Sequence, residues 1–181
     1  MRRSEILIGK WLGLTFVLLA YAAVVSGLEM AVVDLVSGFL PPNPAAIVAY
    51  LFAEGALLLT LTLAFSTRLS AMATGVIAIA LFGSAWLAEV VSVLGTNLNI
   101  SAMRTVGQVA KYVLPTEGLW HGTTYYLEPS SFVAQELAGS QGKAKPFFSQ
   151  APPSAGYLVW AAVWFLLVLG ISPVSFQRRE L

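Results

Sequence analysis

Between Trp11 and Leu28 the chain carries no charged side chain. Arg2, Arg3, Glu5 and Lys10 precede this apolar run, and Glu29 follows it. A helix of about 20 apolar residues rises about 30 Å, the thickness of a hydrocarbon core. The run therefore reads as a membrane span over about Ile8–Met30. It is too long for the apolar part of a cleaved signal peptide, which takes about 7–15 residues. Composition extends this to the whole chain: 57% hydrophobic and 10% charged residues lie far from the roughly 45–50% and about 25% of soluble domains.

Two more uncharged runs, about 45–65 and 69–94, are interrupted only by Glu54 and Glu89. A last run covers about 155–176 and ends in Gln177-Arg178-Arg179-Glu180-Leu181. The fold class that follows is an all-α integral membrane protein, a single transmembrane domain over 1–181 with four transmembrane helices. Gly9-x-x-x-Gly13, Ala23-x-x-x-Gly27 and the small residues crowding the third run are expected to allow close helix approach. Pro41-Pro42-Asn43-Pro44 and Ser66-Thr67-Arg68-Leu69-Ser70 separate the first three runs.

From Gly95 to Ser154 polar residues break every run long enough to span. Ala102, Val106, Val109, Val113 and Leu114 recur at helical spacing against Arg104, Gln108 and Lys111, which predicts a short amphipathic helix at the interface, ended by Pro115. Pro115, Glu117, Trp120, Tyr125 and Tyr126 form an aromatic-rich motif suited to the headgroup level. Gly139–Pro146 with Pro152-Pro153 reads as an exposed loop.

Arg2, Arg3, Lys10, Arg68, Arg178 and Arg179 collect on one side of a four-span arrangement, and the opposing loop Ser37–Pro44 has no basic residue. Both termini are therefore expected in the cytoplasm and 95–154 outside, in a cell (plasma or inner) membrane. The basic residues form no patch, which argues against nucleic acid as a partner; the lipid bilayer is the expected surroundings.

With no cysteine, neither a disulfide nor a thiolate nucleophile is available. Glu54, near the middle of its span, is costly there; it reads either as a lining of a pathway or helix seam, or as a hydrogen-bonded packing residue. Glu89, nearer the external end of its span, is the second candidate for a pathway or helix seam, the other reading being an interfacial residue that reaches water. Together with Glu29 and Asp34 these acids suggest an acidic outer vestibule. His121, the only histidine, has no cysteine and no His or Glu three or four residues downstream, so no metal ligand set is read and no catalytic residue is assigned.

Arg3-Ser-Glu-Ile-Leu-Ile-Gly-Lys10-Trp-Leu-Gly13 resembles the R-x-E-I-L-L-G-K-x-L-G segment that opens the third transmembrane helix of ABC-2 type transporter permeases. Leu114-Pro-Thr-Glu-Gly-Leu-Trp-His-Gly122, followed by Tyr125-Tyr126-Leu127-Glu128-Pro129, is similar to the external stretch before their last helix. The close Phe176-Gln-Arg-Arg-Glu-Leu181 resembles their basic ending. The resemblance implies a permease subunit whose first two spans and most of whose coupling helix are missing here. It further implies a cytoplasmic ABC ATPase subunit and a second permease half (homo- or heterodimer) as partners. Arg3 and Glu5 are then the candidates for coupling to the ATPase. ATP and Mg would be bound on that partner, with no cofactor in this chain. The competing readings are a small structural or assembly membrane protein, and an intramembrane enzyme, for which no nucleophile or metal site is found.

The orientation makes a simple prediction. Gln141→Cys reacts with a membrane-impermeant thiol reagent added outside intact cells; labelling from the cytoplasmic side alone reverses the assignment.

Overall fold

The structure, a computed structural model, describes residues 3–139 and 145–177. All regular structure among them is helical: α1 (Arg3–Ser37), α2 (Pro44–Ser66), α3 (Ala71–Asn97), α4 (Ser101–Val113), α5 (Thr116–Leu127), α6 (Ser130–Gly139) and α7 (Ala155–Gln177). Ile8–Ser37, Pro44–Ser66 and Ala71–Asn97 are long and apolar enough to cross a membrane, and they mark the chain as a membrane protein by length and composition. In α7 the apolar stretch among the described side chains, Ala155–Gly170, is shorter.

Local chemistry sets the boundaries. α1 does not stop near Met30 but continues through Glu29 and Asp34 to Ser37. Its 35 residues extend about 52 Å, well beyond a hydrocarbon core of about 30 Å. Nothing between Met30 and Ser37 breaks a helix; Gly38 does, adopting φ +66° while its N–H donates to Asp34 O at 2.8 Å. Asn43 then caps α2, its Oδ1 accepting from Ala46 N–H at 3.2 Å, with Pro44 in the first turn. Ser70 caps α3 in the same way, through Ala73 N–H at 3.3 Å, so this helix starts at Ala71 rather than at Leu69.

The central helix is α2, which touches α1, α3, α5 and α7. Leu57 and Leu61 meet Ala85 of α3, Leu114 and Leu119 in the buried core. α1 runs antiparallel to α2: Leu18 lies over Gly55, and the Trp11 indole N–H donates to Thr60 Oγ1 at 2.9 Å. The expected small-residue faces of α1 are not used in this way. A side chain on Gly9, Gly13 or Gly27 would meet nothing nearby among the described residues. Close approach occurs instead at Gly95 and Gly107, which hold α4 against α3, and at Gly118 and Gly122, which seat α5 against Tyr157 and Tyr50.

The amphipathic helix expected after Asn99 is present as α4, but it is not a separate element lying flat. It turns back at Asn99, which takes φ +58°, and packs antiparallel along α3. Gly95 faces Met103, and Gly107 faces Ser92 and Ala88. Its apolar stripe, Val106, Val109 and Val113, points outward. α5 then runs antiparallel along α2, so α4 and α5 form a hairpin with Leu114, Pro115 and Thr116 buried at its tip. Nor is the segment before α7 wholly an exposed loop: Phe147 stacks on Trp86 with centroids 4.2 Å apart. Residues 140–144 of that expected loop lie outside the described ones.

A hairpin tip inside a bundle exposes the last carbonyls of one helix and the first N–H groups of the next. Three side chains of α7 answer them. Tyr157 Oη donates to Lys111 O at 3.4 Å, Trp160 Nε1 to Tyr112 O at 3.0 Å and Trp164 Nε1 to Val113 O at 2.8 Å. The Tyr157 hydroxyl also accepts from Gly118 N–H at 3.2 Å. Trp164→Phe keeps the ring and removes one donor, leaving the Val113 carbonyl without its partner. It is expected to cost about 1 kcal/mol, read from reversible unfolding in mixed detergent and SDS micelles.

Candidate functional site

The hairpin carries polar groups to the middle of the bundle. Glu54 of α2 is buried, 7% exposed, and lines a cavity of about 300 Å³ with Phe82 and Trp86 of α3 and Thr116, Glu117 and Trp120 of α5. Trp120 also lines a second, larger cavity of about 1010 Å³, where Glu29, Met30 and Phe39 stand across from Leu127. One indole thus forms a wall common to both spaces.

Beside the smaller cavity sits a group of three titratable side chains. His121 Nε2 lies 2.9 Å from Glu89 Oε1 and 3.8 Å from Glu117 Oε1. Glu117 in turn is 4.0 Å from Lys111 Nζ. The Phe147 backbone N–H donates to Glu89 Oε1 at 2.9 Å. Glu89 is 4% exposed, and its Oε2 is buried with no hydrogen-bond partner among the described residues; the same holds for Trp120 Nε1. Burial pushes the Glu117 carboxyl above the usual carboxylate range. Lys111 opposes this, Glu89 adds to it and His121 opposes it.

The sequence-derived residues fall into separate places. Glu54 and Glu117 share the smaller cavity, and Glu117 links that cavity to Glu89 and His121. Glu29 lies on the larger cavity, and Asp34 is exposed. The four acids therefore do not form one vestibule: Glu89 is engaged by His121 and Phe147. Pro115 is buried at the hairpin tip, and Tyr126 stacks on Tyr50 at 6.0 Å with Tyr125 edge-on to it at 5.1 Å. These motif residues pack between helices. Glu5 is exposed near the start of α1; the Arg3 side chain is outside the described ones.

The helical neighbour of His121 is Glu117, one turn upstream rather than downstream. Glu89 joins them from α3, a contact that no local spacing reveals.

No protein-family model matches the chain, and neither a curated protein nor a solved structure does.

The raised Glu117 carboxyl has a consequence for stability. Unfolded, it titrates near 4.3; folded, it keeps its proton to higher pH. Its contribution is thus most favourable below that unfolded value and declines as pH rises through the folded one. Glu117→Gln should flatten this part of the profile, so that the difference in unfolding free energy between variant and wild type grows in favour of the variant from acidic to neutral pH in micelles.

Proposed function

We propose that the chain is the membrane-spanning part of an ABC-2 type transport permease, in the cell membrane, driven by a separate cytoplasmic ATPase. In this reading α1, α2, α3 and α7 are the four spans, with both termini cytoplasmic, and the α4–α5 hairpin enters the bilayer from outside without crossing it. The observation that carries the reading is the Glu54 cavity: a buried carboxylate at mid-helix faces a partly open cavity walled by α3 and α5. Ionisable groups within membrane helices characteristically face such cavities or a bundle interior. The order of the three sequence motifs supports the family. The broad apolar surface of α1, including Phe16 at 73% and Leu28 at 63% exposure, suits lipid or a second permease half.

The test is purification of the full reading frame in mild detergent. An ABC ATPase subunit is expected to co-purify, and the complex to hydrolyse ATP. Arg3→Ala combined with Glu5→Ala should lower that hydrolysis several-fold while leaving the thermal stability of the membrane subunit unchanged. A purified, folded chain without associated ATPase activity returns the protein to a structural or assembly role.

A further inference from the structure

Glu89, Glu117 and His121 are placed as a metal would require, although no role in the transport reading needs them there. We propose that they form a binding site for one divalent transition-metal ion of the Zn²⁺ type.

Three observations carry this. The first is geometric: one donor atom from each residue lies within 4.8 Å of the others. Tetrahedral ligands at about 2.0–2.2 Å from a metal stand roughly 3.3 Å from one another. The 2.9 Å and 3.8 Å separations at His121 bracket that value, so an ion enters with small side-chain adjustments. The second is an unmet need. Glu89 is 4% exposed, and its Oε2 finds no partner among the described residues. This is not the oxygen that faces His121; a buried carboxylate oxygen left without a partner is costly, and an ion that Glu89 holds through both of its oxygens relieves it. The third is support from outside the ligand set: the Phe147 N–H donates to Glu89 Oε1 at 2.9 Å, and outer contacts of this kind orient ligands in metal sites.

Charge agrees with valence. As metal ligands the three residues offer two carboxylates and one imidazole, a formal charge of −2 that a divalent ion balances. Lys111, 4.0 Å from Glu117, competes as a cation, but its side chain is 39% exposed and can swing outward. His121, Gly118, Ser149 and Lys111 also line a polar pocket of about 340 Å³, which leaves a route for the ion and for a water as fourth ligand. Without a thiolate, the donor set suits Zn²⁺, Co²⁺ or Mn²⁺ rather than Cu(I).

The site is independent of the transport proposal and is tested without it. The full chain, purified in detergent with a histidine-free affinity tag, is equilibrated with Zn²⁺ or Co²⁺ and freed of excess metal. One ion per chain is expected. X-ray absorption at the zinc edge should show one imidazole with oxygen neighbours, and that imidazole can only be His121, the sole histidine of the chain. This readout uses the wild-type protein and does not depend on whether variants fold. His121→Ala and Glu89→Gln should each weaken Co²⁺ binding at least about tenfold, whereas Glu54→Gln should not. Failure to retain an ion, an oxygen-only spectrum, or affinity unchanged in His121→Ala makes the three residues a closed ion pair and overturns the site.

Discussion

A helical hairpin cannot end inside an apolar bundle unless its backbone is satisfied there. In hydrocarbon no water is available to take the last carbonyls of one helix or the first N–H groups of the next. Here the tip at Leu114–Thr116 is held by Tyr157, Trp160 and Trp164, which follow one another at helical spacing on α7 and each reach a terminal carbonyl of α4. These residues lie far along the chain from the carbonyls they serve, so the hairpin is complete only once α7 has packed. This contact ties the last helix, α7, to the α4–α5 hairpin.

Much follows from placing the tip there. α4 and α5 approach α3, α2 and α7 closely enough that Gly95, Gly107, Gly118 and Gly122 have no room for a side chain. The core cluster gathers around the same point, with Leu57 and Leu61 meeting Leu114 and Leu119. Glu117, Trp120 and His121 come just after the tip on α5, so they are carried inward and set against Glu54 of α2 and Glu89 of α3. The polar interior is therefore a result of how the hairpin is anchored.

The helices themselves were readable because their signals are local. Uncharged runs, the Asn43 and Ser70 caps and the alternation of Val106 and Val109 with Gln108 and Lys111 mark elements directly. Two things were not local. The outward apolar stripe of α4 fits a helix lying on an interface as well as one packed along a neighbour with that stripe turned away; Gly107, which decides between them by admitting Ser92, looks like any other membrane glycine. The end of α1 is not local either: Glu29 and Asp34 mark where apolar character fades, whereas the helix persists until Gly38 turns it. Of the site, Glu54 stood out as a lone charge in a long span, while Glu89 and His121 became neighbours only through the fold.

Glu117 belongs to both parts of the interior at once. It stands on the wall of the Glu54 cavity and, one helical turn from His121, beside Glu89. Charges a few ångströms apart in a poorly polarisable surrounding interact far more strongly than in water. The Glu89–His121 pair and the cavity wall therefore share one electrostatic surrounding through Glu117. Trp120, which lines both this cavity and the larger one that holds Glu29, stands on the same turn of α5 as Glu117. One hairpin, held by α7 and pressed on α2 and α3, thus sets the walls of both spaces through a single turn of α5.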